Sequence, residues 1–453
     1  MNDTALNSIE KKASLSLATV FGMRMIGLFM ILPIFAIYGV ELQGYSPLWI
    51  GLAIGAYGFT QALLQIPMGM LSDKFGRKPV IVAGLVVFCL GSIVAAQSDT
   101  IYGVVIGRAL QGMGAIASAT LALAADLSRE EQRPKVMATI GMFIGMSFAL
   151  AMVLGPIVAD SYGLSGVFYL TALFAIVGML LVLFVVPKAL TTAPKGDLLA
   201  SPTSLGQMLA DKQLLRLNIG VFVLHMALTA MFVILPLKLV ASGFVIADHW
   251  QLYLPALLVS FVLMVPVMIW SIKAGKEKLV FCGAILLMML TLLTLWQQHD
   301  SFTLIVAMVV LFFVAFNFLE ATMPANLSRI APAGQKGSAM GIFSTCQFLG
   351  AFAGGALGGF ISSRYGDANV FLMSAGMLAL WYLLALGMMP IARSKSLSYK
   401  VEFNDESHAQ LLAEKLANLP GVLESTIVYS DSVAYLKVDD KLVDMNKVKA
   451  LLS

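Results

Sequence analysis

Apolar stretches of bilayer length constrain this chain more than any other feature. A helix rises about 1.5 Å per residue, so roughly 20 apolar residues cross the ~30 Å hydrocarbon core of a membrane. Runs of that size recur from residue 13 onward: 13–40, 48–71, 80–96, 101–125, 136–158, 166–186, 214–240, 250–271, 279–296, 302–326, 337–362 and 368–390. They predict an all-α membrane part of twelve transmembrane helices. With 59% hydrophobic residues, 12% charge and a mean hydropathy of +0.89, a water-soluble fold would have no material for its surface. The first run is too long for a signal-peptide core and lacks a small-residue cleavage site, so it reads as an anchor. Lys and Arg crowd the loops on the side of the N-terminus, while Lys238 and Arg364 alone fall on the other. That asymmetry predicts both termini in the cytoplasm, and the dispersed basic residues argue for orientation rather than nucleic-acid binding.

Between the second and third runs lies a short polar turn, Gly69-Met-Leu-Ser-Asp73-Lys74-Phe-Gly76-Arg77-Lys78. Its spacing matches G-x-x-x-[DN]-[RK]-x-G-[RK]-[RK], and through it the chain resembles the major facilitator superfamily. The resemblance implies two six-helix halves that rock about a central site, with this turn as a conformational latch. Gly76 permits a sharp turn, and Gly69 permits close approach of helix 2 to a neighbour. Asp73 is placed to face a helix N-terminus, where a carboxylate gains about 0.3 to 1 kcal/mol; in the family that helix is helix 11, which here starts near Gly337. Arg77 then has Asp126, at the end of helix 4, as its expected ion-pair partner. The alternative reading gives these charges a purely topological role.

An internal repeat accompanies the motif. Leu127-Ser-Arg129, five residues and Lys135 recur as Leu327-Ser-Arg329, six residues and Lys336, with the Leu-Ser-Arg triplets 200 residues apart. Ser271-Ile272-Lys273-Ala-Gly275-Lys276-Glu277-Lys278 reads as a decayed copy of the charged turn, with Ile272 in place of the aspartate. The expected organisation is an N-terminal bundle (1–187), a cytoplasmic linker (188–213), a C-terminal bundle (214–392) and a soluble module (396–453). The module reads as βαββα, with strands at 399–403, 424–429 and 433–438, helices at 409–419 and from Val443, and a tight turn at Ser430-Asp-Ser432, a small α/β ferredoxin-like fold. Its first loop, Asn404-Asp-Glu-Ser-His408, lacks the C-x-x-C of the heavy-metal-associated fold it resembles, and the three cysteines are isolated, so neither metal nor cofactor is expected. A twelve-helix facilitator with this appendage resembles YajR-type transporters, whose extra module is called the YAM domain. That resemblance implies a proton-driven, drug-efflux-like exporter of the inner membrane.

Charges within spans are costly, about 2.5 to 3.5 kcal/mol each on insertion scales, and so mark candidate sites. Arg24 falls mid-helix in span 1. Arg108-Ala-Leu-Gln111-Gly112 matches the family's helix 4 motif R-x-x-Q-G, whose arginine the resemblance implicates in proton coupling. Glu320 is the carboxylate well inside a span, about 13 Å from Arg329 along helix 10. It is the intrinsic candidate for titration, or else a structural group bonded to Asn317 or a backbone carbonyl. His225, Gln61, Gln65 and Gln347 are read either as cavity-lining or as helix-to-helix hydrogen bonds. Gly155-Pro156 in helix 5 resembles the antiporter motif, although Ala159 and Asp160 stand where that motif has glycines. Gly350, Gly354 and Gly358 give helix 11 a smooth face.

Aromatic and Met-rich helices with few fixed charges suit a small, fairly apolar substrate in a lipid bilayer, and the family resemblance implies protons as the coupling ion. A non-transporting membrane sensor, whose C-terminal module binds a cytosolic ligand or partner, is the other function class. The sequence holds no P-loop, nucleophile-base pair or metal-ligand set, so an enzyme is not expected.

Overall fold

The computed structural model describes residues 5–129, 132–187, 202–298, 301–332, 335–389, 394–401, 405–429, 432–439 and 442–452. Helix α1 (Ser8–Phe29) opens with a capping box in which Asn7 accepts from the Glu10 N–H and Glu10 from the Asn7 N–H. The expected unbroken span over 13–40 is corrected: α1 stops at Phe29, and helix resumes only as α2 (Phe35–Tyr38). Pro33 lies in the gap; it has no N–H and disfavours helix at the residue before it.

Helix α3 (Pro47–Phe75) starts at an N-cap, Ser46, whose hydroxyl accepts from the Trp49 N–H. Gly76, at φ 93°, makes the reversal into α4 (Arg77–Ala96) that a side chain would resist. The fourth span, expected as one helix over 101–125, is two: α5 (Ile101–Met113) and α6 (Ala117–Asp126). Gly114 has ψ 47°, and a Cβ there would run into the Gly84 carbonyl and Phe88, so the chain unwinds where α4 passes closest. The fifth and sixth spans, expected at 136–158 and 166–186, join as α7 (Arg133–Leu180) and turn only at Gly163, with φ 64°. A straight helix of 48 residues would be about 70 Å long, more than twice the bilayer core, so Gly163 separates two spans. A π-helical turn, Leu181–Val185, closes the first half.

Helix α8 (Pro202–Ala210) lies in the expected linker, of which residues 188–201 lie outside the described residues. Then come α9 (Lys212–Ala241), α10 (Trp250–Ala274), α11 (Glu277–Gln297), α12 (Phe302–Ile330), α13 (Lys336–Tyr365) and α14 (Ala368–Leu386). Among the described residues, 11 helical stretches are long and apolar enough to span, and Gly163 divides one of them. Twelve spans result.

The C-terminal module is β1 (Ser394–Lys400), α15 (Glu406–Ala417), β2 (Val422–Val428), β3 (Val433–Asp439) and α16 (Met445–Leu452). Its sheet is antiparallel in the order β1-β3-β2, packed on a core of Leu412, Leu416, Leu436, Val438 and Val448. The first strand, expected over 399–403, begins at Ser394, because Ser394 to Lys400 pair continuously with Asp439 to Val433. Ser394-Lys-Ser396 has no apolar alternation, so pairing with β3 rather than its own pattern makes it a strand. Ser430 and Asp431 of the expected turn lie outside the described residues, and Ser432 has φ 54°.

Packing groups the chain into two compact units, Met1–Thr191 with Ile219–Leu319 and Ser344–Leu386, and Thr192–Asn218 with Glu320–Phe343 and Gly387–Ser453. In the first, α1 packs on α7, α4 on α5, and α11 on α14. The repeat is also visible there: Lys78 Nζ donates to the Val186 carbonyl and Lys278 Nζ to the Leu386 carbonyl, each pair 108 residues apart. In the second, Lys437 of β3 donates to the Ile330 and Ala331 carbonyls at 3.1 and 3.3 Å, capping the end of α12 with a positive charge. Burial pushes the Lys437 ammonium below its ordinary pKa, against the opposing pull of Glu424 and Asp211.

Candidate transport site and gates

Two buried arginines organise the N-terminal half. Arg24 Nη2 donates to Gln61 Oε1 at 2.6 Å and to the Gly114 carbonyl at 3.1 Å. The second bond uses a carbonyl that the unwinding of helix 4 sets free, as irregular backbone within a membrane requires. Arg108 Nη1 donates to Gln111 Oε1 at 2.7 Å, its Nε donates to the Ala53 carbonyl, and Gln111 Nε2 donates to Ser92 Oγ. Both guanidinium carbons lie within 5.6 Å of the centre of one ring, Tyr57. Arg24, Arg108, Gln61, Gln65, Gln111 and Tyr57 are all buried.

In the C-terminal half two contacts between neutral side chains join helices. Asn317 Nδ2 donates to Ser260 Oγ at 2.6 Å, tying α12 to α10. His225 Nδ1 faces the Val221 carbonyl and must donate to it, which leaves Nε2 to accept from Gln347 Nε2 at 2.8 Å. This pair joins α9 to α13. Glu320 is half-buried on α12.

At the charged turn, Arg77 forms ion pairs with Asp73 and with Asp126 Oδ2, the latter at 3.2 Å, and donates to Ser72 Oγ at 2.7 Å. Lys74 lies over the Phe75 ring, and a Cβ at Gly69 would touch Ser118 of α6 at 3.3 Å. In the middle of α7, a Cβ at Gly155 would meet the Met30 carbonyl and the Pro33 ring, so Gly155-Pro156 packs on the break after α1.

The opposite end of α3 holds contacts that sequence reading passed over. A Cβ on Gly51, Gly55 or Gly58 would strike backbone atoms of Gly355, Phe352 or Phe348 on α13, and one on Gly359 would strike the Pro47 carbonyl. The two helices therefore touch backbone to backbone over 47–58 and 348–359. The glycines singled out on helix 11 serve another neighbour: Gly350 and Gly354 abut the Phe222 and Met226 carbonyls of α9, and Gly358 abuts Ala230. The spacing of Gly51, Gly55 and Gly58 was a visible signal for a packed face; its partner was not. A second unanticipated contact is bidentate, Arg129 to buried Glu10, which fastens the start of α1 to the end of α6.

Twelve spans in a duplicated arrangement, with buried polar groups at mid-helix and a charged turn after the second span, define a membrane carrier. The chain belongs to the Major Facilitator Superfamily, whose model matches residues 17–254 and 249–423. It is similar to the inner membrane transport protein YajR of Escherichia coli (strain K12), with 42% identity over 449 residues, 99% of both chains. More distantly, it shares 25% identity over 341 residues with the multidrug resistance protein MdtH of Aeromonas salmonicida (strain A449), covering 74% of this chain and 83% of that one. A solved bacterial homolog of the human lysosomal transporter Spinster, inward-facing and occupied, has the same fold at a TM-score of 0.66 and 12% identity, over 84% of this chain and 97% of that one. The chain is thus a multi-pass membrane transporter, homologous to an inner membrane protein.

Proposed function

We propose that this transporter is a proton-coupled exporter of a small, fairly apolar compound, an antiporter working by alternating access in the inner membrane with both termini cytoplasmic. The observation that carries this reading is the glycine-lined closure of α3 on α13 at the end away from the charged turn. With that closure on the outer side, export requires it to open. The turn at 69–78 is the complementary latch: Asp73, Lys74, Arg77, Lys78 and Asp126 favour one of two states of similar energy, and Gly69 and Gly76 let the backbone follow.

Glu320 on α12 is the coupling carboxylate of this reading, and Arg24, Arg108-Gln111, Asn317 and His225 are its separate coupling and cavity residues in the other compact unit. Gly155-Pro156, seated on the break in helix 1, is the antiporter element. The C-terminal module is read as a YAM domain that biases transport by binding a cytosolic ligand or partner, and Lys437 on the end of α12 is the link through which it acts on the helix that carries Glu320.

Proteoliposomes carrying a pH gradient and a panel of small apolar compounds test this. Gradient-driven accumulation is expected, and Glu320→Gln should reduce it to passive equilibration. Uphill movement by the Gln variant with an unaltered pH profile would remove Glu320 from the coupling path.

A further inference from the structure

Arg24 and Arg108 share one buried ring, yet neither forms an ion pair among the described residues. Their side-chain partners are neutral amides, Gln61 and Gln111, and backbone carbonyls. Arginine does not lose its proton in proteins, so burial cannot neutralise the pair as it would a lysine. Arg24 Nε and Nη1 and the Tyr57 hydroxyl are buried without a hydrogen-bond partner. Two permanent positive charges and three idle donors, at 2% exposure or less, thus have no negative partner among the described residues.

We propose that the Arg24–Tyr57–Arg108 cluster binds a monovalent anion, accepted from Arg24 Nε or Nη1 and the Tyr57 O–H, with Arg108 adding field from the same ring. The chemistry fits the carboxylate of an amphiphilic compound or free chloride. In the first case the site deepens the exporter reading, on which it rests for calling the ligand a substrate: an apolar body with an anionic head.

The test is equilibrium binding to the purified full chain, read as the shift in Tm with octanoate, octylammonium, octanol and sodium chloride against sodium gluconate. Octanoate is expected to raise Tm while octanol and octylammonium do not; a rise with chloride alone assigns the inorganic source. Arg24→Gln should weaken octanoate binding at least about tenfold, the loss of a charge-assisted hydrogen bond, and Tyr57→Phe should weaken it less. Because Arg24→Gln risks misfolding, Gln61→Glu is the second variant. It places a carboxylate on Arg24 from within, so it should raise Tm without ligand and abolish the octanoate shift. Equal responses to octanoate and octylammonium, no response to any anion, or full octanoate binding by Gln61→Glu would overturn the site. Anion binding without proton-driven flux would instead sink the exporter reading and leave the site intact.

Discussion

The two ends of α3 are held by different physics. At 47–58 the helix meets α13 through glycines so close that a single Cβ has no room, and no charge takes part. At the other end Arg77, Asp73, Asp126 and Ser72 make a small charged cluster, with the Asp73 side chain 53% exposed and the Asp126 side chain 12%. Dense apolar packing responds steeply to volume and little to salt, whereas an exposed ion pair such as Arg77–Asp73 contributes about 0 to 1 kcal/mol and is screened. On the proposed alternating-access reading, the first contact would act as a hard stop and the second as a soft catch.

Volume should produce the largest effect. Gly51→Leu is expected to cut transport below about a tenth, since overpacking costs typically 1–3 kcal/mol, and to raise the reactivity of a cysteine introduced near residue 45. Transport unchanged by that variant would show that backbone contact of α3 with α13 is not required in the cycle. The charged end should give a smaller loss: Arg77→Ala or Asp73→Asn lowers transport about three- to tenfold, while Glu277→Ala in the duplicate loop stays within about twofold. An equal loss at Glu277 would mean the second loop is also a catch.

Ionic strength separates the ends without mutation. Going from 0.05 to 0.5 M salt should alter probe accessibility beside residue 73 and leave that beside residue 355 unchanged, because the Debye length shortens several-fold over this range and Asp73 is the exposed member of the cluster. The smallest effect concerns the fold alone. Lys78→Met and Lys278→Met each remove one equivalent lysine-to-carbonyl bond, worth about 1 kcal/mol, and should lower Tm by similar amounts, a few degrees at most. A large difference between them would show that duplication preserved the contact but not its role.

These two loops also show how far the sequence could be read. The loss of the aspartate at Ile272 was legible in the chain, and so was the candidate pairing of Arg77 with Asp126, because both follow from a fixed motif and its copy. That Lys278 would still reach a carbonyl equivalent to the one Lys78 reaches was not, since Val186 and Leu386 carry no signal for it. Helix 11 makes the same point: Gly350, Gly354 and Gly358 advertised a smooth face, but Gly355 and Gly359, one residue round the helix, meet α3. Periodicity identifies a face that packs and is silent about what it packs on. Strand β1 is the converse case, since its polar start becomes strand only through pairing with β3.

By itself the sequence determined that the chain spans a membrane about twelve times, repeats itself, and carries a charged reversal after its second span. Insertion of a helix depends on its own length and composition, and a turn motif is local. Only the tertiary structure decided where helices 1 and 4 break, how Gly155 seats on the first of those breaks, and that Arg24 and Arg108 share the ring of Tyr57 with no ion pair to either among the described residues. Each of those depends on atoms brought together from distant parts of the chain, where close packing and the need to satisfy every buried polar group choose among arrangements that the sequence leaves equal.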